Sequence, residues 1–220
     1  MGPAFFAVTI QKVISTLREL PGIEWQVLYL DDGVLVGEPS ALQNALHQLT
    51  NRFQKLGLQV NLLKCKTWSP QGVVSGCPIP AVDWSTPRSV LRTPFGSTGA
   101  VAQFLSETRA KHHALLQRLA LLPDPQVALA LLRYCLGAQK IKHLLRVLYS
   151  LTSKAFAEET EADLRLTLDS TLGACLPDAA WKQSCLPIRL GGFGIQNPTV
   201  TQSAAYFSSA LAEYSGAFSP

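Results

Sequence analysis

Two adjacent carboxylates, Asp31 and Asp32, interrupt the apolar stretch WQVLYLDDGVLVGEP at residues 25–39. A carboxylate at a strand tip, anchored by apolar neighbours, is held rigidly at a solvent edge, and a hard cation such as Mg²⁺ is commonly bound in that way. Neighbouring strand residues point to opposite faces, so the pair closes on one ion only if the turn re-aims one of them. The triplet Asp31-Asp32-Gly33 is equally good turn chemistry for an exposed hairpin. Lys64 is the next residue with chemical capacity, a compact point charge able to bind phosphate or donate a proton. Lys66 competes with it, and both also read as solvated lysines following a strand.

A third group is electrostatic. Between Arg109 and Lys154 there are eight Lys or Arg and one acid, Asp124, a net of +7 in a chain whose overall charge is +4. Such a run, with Arg133, Lys140, Lys142 and Arg146 at its centre, suits a polyanion. It also suits the wet face of ordinary amphipathic helices.

Other chemistries lack their patterns. His112 and His113 are adjacent, whereas two ligands on one helical face need i, i+4 spacing. No Gly-x-Ser-x-Gly nucleophile motif occurs, and GGFG does not open a helix after a strand as a phosphate loop does. Cys65, Cys77, Cys135, Cys175 and Cys185 form an odd set without zinc spacing, which reads as reduced thiols. The four tryptophans read as core or as base-stacking platforms.

The elements that must position these groups follow from periodicity. AFFAVTIQKVISTLREL repeats apolar residues at helical spacing and stops at Pro21-Gly22. Trp25–Leu30 and Val34–Val36 are β-formers on either side of the Asp-Asp turn, which predicts a hairpin. PSALQNALHQLTNRFQKLG predicts a helix ending at Gly57, and LQVNL a further strand. Residues 67–98 are punctuated by Pro and Gly and predict loops with one more hairpin. After Gly99, four segments of helical period, the Gly-rich connector LPIRLGGFGI and a last helix from Pro198 predict a helical half.

The order helix, strand, Asp-Asp turn, strand, helix, then GLQVNLLKCK resembles the palm of reverse transcriptases, the RNA-directed DNA polymerases of retroelements. Tyr29–Asp32 stands where that family has its Tyr-x-Asp-Asp hairpin. The resemblance implies that Asp31 ligates the catalytic metals, Mg²⁺ or Mn²⁺, that Asp32 supports them, and that Tyr29 lies at the nucleotide. Gly57-Leu58, Asn61 and Lys64 match the next block, whose lysine lies near the triphosphate and protonates the leaving pyrophosphate. GPAFFAVTI, LRTPFGS, LPIRLGGFGI and AAYFSSALA extend the similarity more loosely. The later helices correspond to a thumb that grips the template-primer, a task the +7 stretch fits.

One departure bears on activity. Two-metal nucleotidyl transfer needs carboxylates on both sides of ions about 4 Å apart, and the family supplies one from an earlier strand. Before Tyr29 this sequence has only Glu19 and Glu24; Asp83, Asp124, Asp163, Asp169 and Asp178 are substitutes by residue type alone. The expectation is an α+β chain: a partial polymerase palm over 1–98, with its Asp-Asp hairpin flanked by helices, then a helical, thumb-like region over 99–220. The resemblance implies a nucleotidyltransferase acting on template-primer and dNTP, inactive unless an upstream polymerase segment completes it. The alternative is a noncatalytic nucleic-acid-binding or helical scaffold module of retroelement origin.

At 220 residues and 47% hydrophobic content the chain is long and apolar enough to fold. No run reaches the roughly 18 apolar residues of a membrane span. MGPAFFAVTIQK carries neither a secretory leader nor a myristoylation site. An intracellular protein, cytoplasmic or nuclear, is expected. A palm cut through its sheet also predicts exposed apolar surface.

Overall fold

A computed structural model describes residues 2–29, 32–72 and 77–217. The fold is α+β, with long helices and two small antiparallel sheets. The chain separates into two compact units, Met1–Trp84 and Ser85–Pro220.

In the first unit, helix α1 (Gly2–Arg18) buries Ile10, Val13 and Leu17, the face its period marked out. The chain turns at Pro21-Gly22 into β1 (Ile23–Tyr29), which pairs with β2 (Asp32–Gly37): Val27 lies opposite Val34, Leu28 opposite Gly33, and Tyr29 opposite Asp32. At the open end Gly37 lies against the Gly22 carbonyl so closely that a Cβ has no room, and Glu38 N–H donates to that carbonyl at 2.9 Å.

Helix α2 (Pro39–Lys55) starts on a proline, whose missing N–H costs nothing there, and buries the small residues Ala41 and Ala45. Gly57, at φ +74, ends it: Gly57 N–H donates to Gln54 O at 3.1 Å and Leu58 N–H to Phe53 O at 2.9 Å, the two bonds of a Schellman cap. The two helices pack on each other, α1 also on β1 and α2 also on β2. The Gln26 amide donates to the Ile14 carbonyl at 3.1 Å.

The strand expected over LQVNL does not form. Residues 58–61 have no regular structure and 62–64 are a turn, with Leu63 85% exposed. The segment pairs with neither edge of the two-stranded β1–β2 sheet, and β-propensity without a partner strand gives no strand. The bridge from Thr67 to Ala81 is the remaining β pairing described in this unit.

In the second unit, β3 (Arg88–Val90) and β4 (Thr93–Phe95) form the second expected hairpin. Its two-residue turn places Leu91 at φ 50 and Arg92 at φ 65. That is left-handed backbone, which costs about 1–2 kcal/mol per non-glycine residue. The hairpin packs on α3 (Thr98–Ala120), so it belongs with the helices, whereas the sequence placed the break between 98 and 99. The Ser97 hydroxyl caps α3 by accepting from Ala100 N–H at 3.2 Å.

PQVALALLRYCLG forms α4 (Pro125–Leu131), which runs into a π-helical turn over Leu132–Leu136. QKIKHLLRVLYSL divides into a 3₁₀ turn, Ala138–Lys140, and α5 (Lys142–Val147). Then follow α6 (Ser150–Leu172), α7 (Asp178–Ser184), a 3₁₀ turn over Ile188–Leu190 in the Gly-rich connector, and α8 (Pro198–Ala217). Helix α7 was not expected: seven residues are too few for a period to show.

Two apolar clusters hold this unit. Leu116, Leu132, Leu164, Leu168, Trp181 and Ile195 centre one; Leu105, Ile141, Leu144, Leu145 and Phe156 centre the other. Among the described residues no helix is long and apolar enough to cross a membrane.

Candidate functional site

Asp32 lies at the first position of β2, exposed, in register with Tyr29. Antiparallel pairing therefore brings the two ends of the Tyr-Leu-Asp-Asp sequence together across the strands. Asp31, expected to carry the metal, lies outside the described residues, as does Leu30. Of Tyr29 the backbone pairing alone is described.

Lys64 stands in the turn after Asn61 rather than at the end of a strand. Its N–H donates to Asn61 O at 3.0 Å, and its side chain is exposed. The Lys64 N–H also donates to Asn61 Oδ1 at 3.3 Å, so the Asn61 side chain shapes the loop that carries Lys64, a local reason for an Asn three residues ahead of it.

A hard divalent cation takes about six oxygen ligands, and the residues around Asp32 can be tested against that demand. Glu24 lies five residues before Tyr29 on β1, roughly 17 Å away along the strand, and Glu38 follows β2 at the same distant end. Neither reaches Asp32. Among the described residues no group of three or more His, Cys, Asp or Glu is placed to hold a metal. The described donor set does not satisfy a metal ion.

Four of the distant acids have structural work in the helical unit. Asp124 caps α4 by accepting from Gln126 N–H at 2.8 Å. Asp163 is 5% exposed and takes two hydrogen bonds from Arg109, at 2.9 and 3.0 Å. Asp169 accepts from Leu176 N–H at 3.0 Å, and Asp178 pairs with Arg165 at 2.7 Å.

The basic stretch is less available than its charge count suggests. Arg109 is held by Asp163 and by Glu159 at 2.9 Å, acids that α6 lays against α3. Together they raise the Arg109 pKa, its hydrogen bond to Asp163 being the largest cause. Arg133 is half-buried, stacked at 4.6 Å over the Tyr134 ring and packed against the backbone of Gly194. Lys140, Lys142 and Arg146 remain exposed.

Sequence reasoning missed two companions of these cations, Arg92 and His143. Burial lowers the His143 pKa, and the nearby charges of Arg92 and Lys140 lower it further. The strained β3–β4 turn thus brings Arg92 near His143, 51 positions away in sequence, a pairing no local period encodes.

His112 is buried, with its Nε2 at 2.6 Å from the Leu136 carbonyl, where the π-helical turn ends. Burial lowers its pKa, so the neutral ring donates through Nε2–H. His113 Nδ1 lies 3.1 Å from Asp163, and its Nε2 lies 2.9 Å from the Gln117 amide. The pair secures α3 rather than presenting two ligands to an ion.

Trp181 is a core residue, its indole N–H donating to Glu161 at 2.9 Å, whereas Trp25 is half exposed. Burial pushes the Cys185 thiol up to about 11, so it stays protonated at neutral pH and is a poor nucleophile. Burial also raises the Cys65 thiol, despite the charge of Lys66.

No protein-family model matches this chain, and no curated protein or solved structure is detectably similar to it.

Proposed function

We propose that the chain derives from the palm and following helices of a retroelement reverse transcriptase, and that by itself it does not polymerise. The observation that carries this reading is the hairpin. Tyr29 pairs with Asp32 at the inner end of a two-stranded antiparallel ribbon, with one helix before it and one after, each packed on its neighbouring strand. A Tyr-x-Asp-Asp sequence bent in this way leaves the Asp32 carboxylate exposed to solvent. In this reading an upstream polymerase segment supplies the missing carboxylate, and Mg²⁺ or Mn²⁺, dNTP and template-primer are ligands of the completed protein. Asp31 and Asp32 would hold the metal, Tyr29 would border the nucleotide, and Lys64 would serve the leaving pyrophosphate.

The test uses Mn²⁺ as a paramagnetic probe on the full chain. Broadening of the amide resonances around residues 31–33, lost in Asp31→Asn/Asp32→Asn, is the expected result; resonances there that stay sharp at millimolar Mn²⁺ overturn it. Primer extension is expected only after fusion to an upstream segment that carries the further aspartate.

A noncatalytic nucleic-acid-binding role has its own support. No Asp or Glu occurs between Pro125 and Ala157, and Lys140, Lys142 and Arg146 are exposed there. Affinity for a nucleic acid should fall steeply with salt, with a slope of about −0.7 to −0.9 per phosphate neutralised. It should weaken when Arg133, Lys140, Lys142 and Arg146 are neutralised together. Binding that ignores salt removes this reading.

A further inference from the structure

Helices α1 and α2 enclose an open groove of about 470 Å³, remote in sequence from the Asp-Asp turn and unused by the reading above. Thr9, Lys12 and Val13 line it from α1, and Arg52, Lys55 and Leu56 from the end of α2. Three of these six residues are cations. Neither helix can neutralise them, because no Asp or Glu occurs between Met1 and Arg18 or between Pro39 and Val82. Among the described residues none of the three makes an ion pair.

Part of this charge has an ordinary cause. Arg52 and Lys55 occupy the last turn of α2, where cations complement the helix dipole. Lys12 owes nothing to that effect: it sits in the middle of α1 and faces the same groove. Converging like charges repel, and an anion between them removes the repulsion. The groove also has an apolar side, formed by buried Val13 and by Leu56, which is 43% exposed. Thr9 spends its hydroxyl proton on the Phe5 carbonyl at 2.8 Å, so the donors facing the groove are the cations.

We propose that this groove binds a phosphate monoester, with the phosphate among Lys12, Arg52 and Lys55 and a small apolar body over Val13 and Leu56. A monoester carries close to two negative charges at neutral pH, and a guanidinium can meet two of its oxygens at once. A soluble phosphate ester and the headgroup of phosphatidic acid share this chemistry. The site uses no residue of the hairpin, so its test and the Mn²⁺ test at the Asp-Asp turn can fail separately.

The test titrates the full chain with phenyl phosphate, followed by NMR shifts, beside inorganic phosphate and phenol. Phenyl phosphate should move resonances at residues 9–13 and 52–56 and bind more tightly than either fragment. Lys12→Gln/Arg52→Gln/Lys55→Gln should weaken it about tenfold, the sum of three exposed charge contacts. Lys12→Arg/Lys55→Arg should retain binding, and an unchanged melting temperature for both variants separates lost charge from lost fold.

Phosphatidylcholine vesicles with and without phosphatidic acid form the second arm. Binding that needs phosphatidic acid and is lost in the triple Gln variant assigns the headgroup as the source. Absence of binding in both arms overturns the proposal, as does binding that survives the triple Gln variant or shifts confined to other residues.

Discussion

The two units of the chain use their residues differently. Met1–Trp84 carries the Asp-Asp hairpin and most of the sequence resemblance, yet among the described residues its buried apolar set is small: Ile10, Val13 and Leu17 from α1, Ala41 and Ala45 from α2, and none from the hairpin. Phe5, Val8, Trp25 and Leu63 are half or more exposed there. Ser85–Pro220 has little sequence signature but two leucine-rich clusters and an ionic clamp between α3 and α6. Residues that advertise chemistry and residues that supply stability are therefore separated along this chain. Burial drives folding at about 25 cal/mol per Å² of apolar surface, so the helical unit carries most of the stabilisation.

That contrast can be broken by mutation. Leu168→Ala, at a fully buried position in the helical core, should cost about 2–5 kcal/mol in urea unfolding. Val36→Ala, on a partly exposed strand, should cost about 0.5 kcal/mol or less. A reversed order would show that the hairpin is the better packed region.

A smaller effect tests the clamp. Asp163→Ala leaves the Arg109 guanidinium without its main partner and should cost about 1–3 kcal/mol by thermal or urea unfolding. Arg109 is one-third exposed and can recover water, which holds the loss to the lower part of that range. Loss of unit-two signals with unit-one signals unchanged would sharpen the comparison.

The smallest expected effect is pH dependence through His112. Burial lowers its folded pKa below the unfolded value of about 6.5, so the unfolded chain binds the proton more readily. Its contribution is complete above that unfolded value and declines as pH falls through it, levelling off below the folded value. His112→Gln, which keeps a donor for the Leu136 carbonyl, should flatten the stability profile in that window. An unchanged profile would assign the titration to another group.

Much of the element order was legible because it depends on local rules. The apolar period of α1, the proline start and glycine end of α2, and the β-formers around Asp31-Asp32 each act within a few residues. LQVNL misled because a strand requires a partner, and the partner's position is not a local property. The β3–β4 turn carries Leu91-Arg92 where a two-residue turn prefers Asn or Gly, so its register was invisible in the sequence. The charge count from Arg109 to Lys154 misled for a related reason: Glu159 and Asp163, which hold Arg109, lie 50 and 54 positions away from it.

The sequence by itself determined that an Asp-Asp pair marks a hairpin, that helices flank that hairpin, and that cations concentrate in the helical half. These follow from periodicity, turn chemistry and composition, which act over one or two turns of chain. Tertiary structure alone decided which charges remain available. Arg109 and Asp163 cancel across α3 and α6, Arg92 comes near His143, and Lys12 meets Arg52 and Lys55 in one groove. Electrostatic energy depends on separation in space, and only folding converts a distance along the chain into a distance between charges.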